Sequence, residues 1–218
     1  MGTVTGGDIA ADIGQSLSDS GFANWTKVAD VFPAITEAQR VIVMLRSDAN
    51  PASVQLTLTV DSDKQVLPTG HLSLAKITKN RGVGGSDKGQ SITRVARETM
   101  DQTMPGWAIE ETATRIRHYI YEEDVPAMFF VYPIPTAALI VDAVVGKSPA
   151  EIIADAGVIE VEDTYVPAIK EYTLFRLQSM EVEGASIALA MAHQTNFFNL
   201  MGIKMSNQIT ALKLKGLV

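Results

Sequence analysis

Changes in the spacing of hydrophobic positions divide the chain into parts of different period. The clearest part runs from Arg115 to Val145, where three strand-like runs are separated by two breaks. Glu122-Glu123-Asp124-Val125-Pro126 ends the first run, and Pro133-Ile134-Pro135-Thr136 ends the second. Tyr, Phe, Val and Ile suit a pleated, half-buried surface, and proline removes a ladder donor. The pattern predicts a three-stranded meander with a turn at each break. In the third run Leu139, Val141, Ala143 and Val145 share one side, with Asp142 on the other. Ala138, Ile140 and Val144 beside Asp142 are also apolar, so both faces of this strand are expected to be covered at least in part. No catalytic residue stands at an obvious turn of this region, which reads as scaffold.

The amino-terminal part has a helical period. Ile9, Ile13 and Leu17 form one stripe of a helix capped by Asp8 and running to about Ser18. Thr36 and Gln39 match a capping box, with Ala38, Val41, Ile42 and Leu45 as the apolar stripe. That helix starts near Thr26 or Pro33 and stops at Arg46, before Asn50-Pro51. The period then drops to two. Val54, Leu56, Leu58 and Val60 alternate with polar residues, and Asp61-Ser62-Asp63-Lys64 turns the chain back over Gln65 to Leu67 as a hairpin. His71 to Thr78 fits either period, with strand favoured. Arg81 to Gln90, holding four glycines, reads as a surface loop, Ser91 to Arg97 as a strand, and Glu98 to Met104 as a short helical turn. After the meander, Asp163 caps a helix carrying Tyr165, Ile169, Tyr172 and Arg176, and an alanine-rich helix covers Ala185 to Met201 before Gly202.

Helices, then strands, then helices predict an α+β fold. The helical bundle is expected from residues 8–50 and 163–202, a β-rich insertion over 51–162, and a carboxy-terminal arm over 203–218.

Composition narrows the classes of function. Of 218 residues 46% are hydrophobic, enough for a real core. The formal net charge is -7, whereas a sequence-reading DNA binder normally carries a basic surface. Tight nucleic-acid binding is therefore not expected, although DNA could slide past such a repelling wall. The absence of cysteine excludes disulfides, thiol nucleophiles and thiolate metal sites. No apolar run is long enough for a membrane span, and the first residues fit neither a signal peptide nor, with Gly6 where Ser or Thr is needed, a myristoylation site.

Candidate chemistry is sparse. His71, His118 and His193 lie in three different elements, without metal-ligand spacing. Asp61-Ser62-Asp63 begins like a calcium loop, but Val66 stands where the sharp turn needs glycine. Glu122-Glu123-Asp124 offers oxygens to a hard cation, though such a run is commonly a solvated turn. Gly82-Val83-Gly84-Gly85 lacks the Gly-Lys-Ser/Thr and following helix of a phosphate loop. Ser73, Ser91 and Ser186 have no nucleophile elbow around them. Trp25 and Trp107 read as packing anchors. No cofactor or metal is expected.

A series of short motifs, taken in order, resembles the head-to-tail adaptor proteins of short-tailed bacteriophages, the group that includes tail tubular protein A. Trp25 precedes a helix containing Glu37-Ala38-Gln39-Arg40-Val41-Ile42 and closing on Arg46-Ser47-Asp48-Ala49-Asn50. Gln65-Val66-Leu67-Pro68, Leu72 to Asn80, Asp101 and Pro105-Gly106-Trp107 follow. His118-Tyr119-Ile120-Tyr121, the run Pro126 to Pro133, and Asp163-Thr164-Tyr165 ahead of Glu171-Tyr172, Leu174 and Arg176 complete it.

The resemblance implies a structural protein of the virion, not an enzyme, assembled in the host bacterial cytoplasm. It implies a homo-oligomeric ring of about twelve copies, closed by heterologous contacts. Its partners would be the portal protein and the tail nozzle or tube protein, with double-stranded DNA passing close by and no membrane involved. Leu212, Lys213, Leu214 and Lys215 of the arm would touch the portal or a neighbouring subunit. Arg81, Lys88, Tyr132 and Ile134, near the loop tips, would face a neighbour or the tail. Another tail or neck tube component remains an alternative. So does a carbohydrate-binding or hydrolytic β protein, for which Asp142 and Glu160 are the available carboxylates.

Overall fold

The first helix begins where a threonine hydroxyl can accept a backbone hydrogen. In the computed structural model, which describes residues 3–87, 89–109 and 111–202, α1 spans Gly6–Ser16. Thr5, not Asp8, is its cap. Thr5 Oγ1 accepts from the Asp8 N–H at 3.2 Å, and the Asp8 carboxylate accepts from the Thr5 N–H at 3.0 Å. The acid seen in the sequence is thus the second member of a capping box. Four more helices follow among the described residues: α2 (Phe32–Leu45), α3 (Arg97–Thr103), α4 (Val166–Gln178) and α5 (Ile187–Leu200). With the strands below, the class is α+β.

The chain forms two compact units, one of residues 1–42 and 149–218, the other of residues 43–148. In the first unit a loop after α1 is organised by Asp19, whose carboxylate accepts from the N–H groups of Ala23, Asn24 and Trp25 at 2.8, 2.9 and 3.1 Å. These bonds, that from Ala23 foremost, hold its pKa below the ordinary 3.8. The loop seats Trp25, which is buried and donates from Nε1 to the Leu177 carbonyl at 3.1 Å.

Thr36 and Gln39 are interior to α2 and do not start it. Both are buried: Thr36 Oγ1 accepts from the Ile152 N–H and Gln39 Oε1 from the Glu160 N–H, each at 3.0 Å. The two side chains tie an irregular segment to the helix. Asp163 likewise caps nothing in α4, because its carboxylate accepts from the Thr3 N–H at 3.0 Å. Pro167 in the first turn of α4 costs no hydrogen bond there. Glu37 accepts from Tyr172 Oη at 2.9 Å and Arg176 Nε at 3.0 Å. Burial first, then this carboxylate, pushes the Tyr172 phenol up to about 12. Tyr172 also meets Phe197 of α5 edge-on, ring centres 5.1 Å apart. Ser186 caps α5, and Gly202, at φ +71°, follows its end in the left-handed region.

The second unit holds β1 (Pro51–Thr57), β2 (Lys64–Val66), β3 (His71–Val83), β4 (Thr93–Arg94), β5 (Thr112–Ala113), β6 (His118–Tyr121), β7 (Met128–Tyr132), β8 (Ile134–Pro135) and β9 (Leu139–Lys147). They form sheets ordered β1-β9-β3, β2-β7-β6-β4 and β5-β8. The expected hairpin does not form: β1 pairs with β9, Leu56 opposite Val141, whereas β2 pairs with β7, Gln65 opposite Phe129. Of the expected meander only β6 and β7 pair. Pro133 and Pro135 cannot donate beside β7, and after the short β8 the chain passes to the other sheet.

The two larger sheets share a core that includes Leu56, Leu74, Ile77, Tyr119, Phe129, Val131, Val141 and Val145. Burying each such side chain is worth about 1.5–3 kcal/mol. Leu139, Val141, Ala143 and Val145 are buried on one face of β9, while Ile140, Asp142 and Val144 are half-buried on the other.

β3 is longer than its partner because it repeats a β-bulge. Leu74, Ile77 and Asn80 pair with Val145, Ala143 and Val141, and Lys76, Lys79 and Gly82 with Val144, Asp142 and Ile140. Leu72, Ala75, Thr78 and Arg81 are extra, so three residues of β3 span two of β9. Inward positions recur every third residue. The surplus backbone groups are met locally: the Thr78 carbonyl accepts from the Ile92 N–H and the Arg81 carbonyl from the Asp87 N–H, both at 3.0 Å. Asn80, buried, imitates a strand toward Ile116, donating to its carbonyl at 2.8 Å and accepting from its N–H at 2.9 Å.

Asn80→Ala should therefore strand both backbone groups of Ile116 and lower the unfolding free energy by about 2–3 kcal/mol, read as a lower urea midpoint at unchanged slope. Asp19→Asn tests the loop. Because the folded carboxylate titrates below 3.8, its stabilisation is complete above that value and is lost as pH falls through its folded pKa. The thermal midpoint of the variant should lie below that of the parent at pH 7, and the gap should narrow as pH drops below 3.8.

Candidate assembly surfaces

Three of the eight interface residues singled out in the sequence are engaged inside the second unit. Arg81 Nε donates to Asp142 Oδ2 at 2.8 Å, in a pair that is about three-quarters buried. Tyr132 is buried with Met100, Trp107 and Ile120, and its hydroxyl donates to Glu111. Ile134 is buried in β8, which pairs with β5. Lys88, Leu212, Lys213, Leu214 and Lys215 lie outside the described residues.

The titratable groups are likewise held in structural contacts. His71 Nδ1 donates to the Pro68 carbonyl at 3.0 Å, His118 stacks on Tyr132, and His193 Nδ1 lies 2.9 Å from Glu171. Asp142 belongs to the second unit and Glu160 to the first. Among the described residues no group of three histidines or acids could hold a metal, and no helix is long and apolar enough to cross a membrane.

One cavity of about 390 Å³ opens in the second unit between the end of α2 and β3, lined by Arg46, Asp48, Ser73, Arg94, Tyr121 and Glu123. Its charges are matched, Arg46 with Asp48 and Arg94 with Glu123. The Tyr121 hydroxyl accepts from the Leu74 N–H and donates to the Pro126 carbonyl, and burial raises its pKa. A phenol so braced supports the loop and is not poised to give up a proton.

The outer surfaces are more informative. On α5, Ile187, Leu189 and Met191 are 76%, 50% and 64% exposed, and Leu200 is exposed near its end. Ile187 and Met191 share one side of the helix and Leu189 and Leu200 another, with the buried Ala190 and Phe197 between them. The first six residues of α5 carry no polar side chain, and exposed apolar residues of this kind mark a surface that a partner can cover. Val28 and Ile153, 70% and 75% exposed, line a groove in the same unit together with Pro33, Ile152 and the ion-paired Arg40 and Glu151. The sequence carried a signal for the α5 face, the run Ile187-Ala188-Leu189-Ala190-Met191-Ala192, which has no polar side. Val28 and Ile153 become neighbours only through tertiary folding, and no local pattern marks them.

Among the described residues, then, exposed apolar side chains are the most distinctive feature of the surface. No curated protein matches the sequence. A family model described as SU10 adaptor protein matches residues 4–212, which takes in both compact units. The chain therefore belongs to the SU10 adaptor protein family and is a bacteriophage adaptor.

Proposed function

We propose that this adaptor forms a ring joining the portal to the tail nozzle of a short-tailed phage and lines the channel through which DNA leaves. The observation that carries the reading is the family match over residues 4–212, together with the bare apolar face of α5. A ring of about twelve copies needs two complementary faces per subunit and no catalysis. The net charge of -7, repeated around a channel, keeps DNA from adhering to the wall. The α5 face supplies apolar area of the kind that subunit contacts bury.

Electron microscopy and mass measurement of the purified protein, alone and with portal, test this reading. A closed ring seated on the portal is expected. A lasting monomer indifferent to portal would overturn it. Replacing both Ile187 and Met191 with Asp should weaken ring formation by at least about tenfold while the thermal midpoint stays near the parent, since both side chains are exposed in the isolated subunit.

A further inference from the structure

The sheet edges of the second unit are not equally guarded. An edge strand offers unpaired N–H and C=O groups to any passing chain, and proteins blunt it with shortness, charge or bulges. β2 has three residues and carries Lys64; β4 has two and carries Arg94. The outer edge of β3 is irregular with bulges, bears Lys76 and Lys79, and meets Ser91 and Ile92. β1 has none of these devices. It runs seven residues without a bulge against β9, has no charge from Pro51 to Val60, and places its proline at the first position only. Beyond its ladder with β9, the described residues supply it no further backbone partner.

The two faces of this edge differ in kind. Ala52 and Val54 pack against the core but stay half-buried, and Leu56 is buried. Ser53, Gln55 and Thr57 are exposed on the other face, where Asp142 of β9 stands opposite Gln55. A strand completing the edge would therefore alternate apolar side chains toward the core with polar ones outward, where the Asp142 carboxylate is already paired with Arg81. Leu212-Lys213-Leu214-Lys215 has that alternation. Residues 203–218 hold three of the 18 cations and none of the 25 acids, so this basic tail belongs to a body of opposite charge. At full extension those residues reach about 50 Å, enough to leave their own subunit.

We propose that β1 accepts residues Leu212 to Lys215 of a second copy as an added strand, leucines beside Ala52 and Val54, lysines beside Ser53 and Gln55. The proposal rests on the ring reading: each copy gives one arm and receives one, which is a head-to-tail contact that closes.

Because the chain has no cysteine, introduced thiols report the contact without background. Full-length Gln55→Cys protein is mixed with Lys213→Cys or Lys215→Cys protein, assembled on portal and oxidised; Ser53→Cys and Thr57→Cys cover the neighbouring registers. A disulfide-linked pair of unlike subunits is expected, its yield falling about tenfold when Leu212 and Leu214 are also changed to Asp. Rings that form normally with no cross-link from any pairing would overturn the strand exchange and leave the adaptor reading standing. A cross-link confined to single chains of the double variant Gln55→Cys/Lys213→Cys would overturn the second copy as donor. Failure to form rings at all would overturn the adaptor reading, and the exchange with it.

Discussion

Every N–H and C=O of a strand flanked on both edges has to be met by neighbours whose twist follows its own, and β9 occupies that position in the second unit. Its buried face of Leu139, Val141, Ala143 and Val145 requires a second layer, supplied by β6 and β7 through Tyr119, Phe129 and Val131. Its edges require β1 and β3, which come from a part of the chain far earlier in sequence. Gly146 shows how tightly the end of β9 is enclosed. A Cβ there would lie 2.6 Å from Ser73 Oγ and 2.9 Å from a Val43 methyl, so a larger residue would push the end of α2 off the sheet.

The first unit is tied by a different kind of contact. Its irregular segments carry backbone groups that no helix or sheet satisfies, and buried polar side chains meet them one by one. Asp19 gathers three N–H groups, while Thr36 and Gln39 each take one. Substitution at Thr36 or Asp19 removes an acceptor and leaves the buried N–H of Ile152 or Trp25 without it, a larger loss than the bond alone.

Legibility in the sequence followed the range of the interaction. The α+β class, the alternation in β9 and the span of α5 were readable because periodicity records which side chains face inward. The pairing of β1 was not, since alternation fixes a face without naming the neighbour. Thr36 and Gln39 imitated a helix start because their spacing suits a cap, yet both turn inward to bond a distant segment. His71 to Thr78 fitted two periods because the bulged strand has a period of three, between those of helix and sheet. At the surface, sequence order drew attention to Tyr132 and Ile134 beside prolines, and the fold buries both. The bare α5 residues were legible as composition only, since the all-apolar run Ile187 to Ala192 does not say which side will lack a neighbour.

The repeated bulge in β3 also changes what the gene can tolerate. In an ordinary strand, losing one codon turns every later side chain to the opposite face. In β3, losing Ala75 would join Leu74 and Lys76, already paired to consecutive positions of β9, and both faces would keep their orientation, whereas losing Thr78 would also take the acceptor of the Ile92 N–H. The strand thus holds spare length at Ala75, where a frame-preserving deletion keeps the facing of every later side chain.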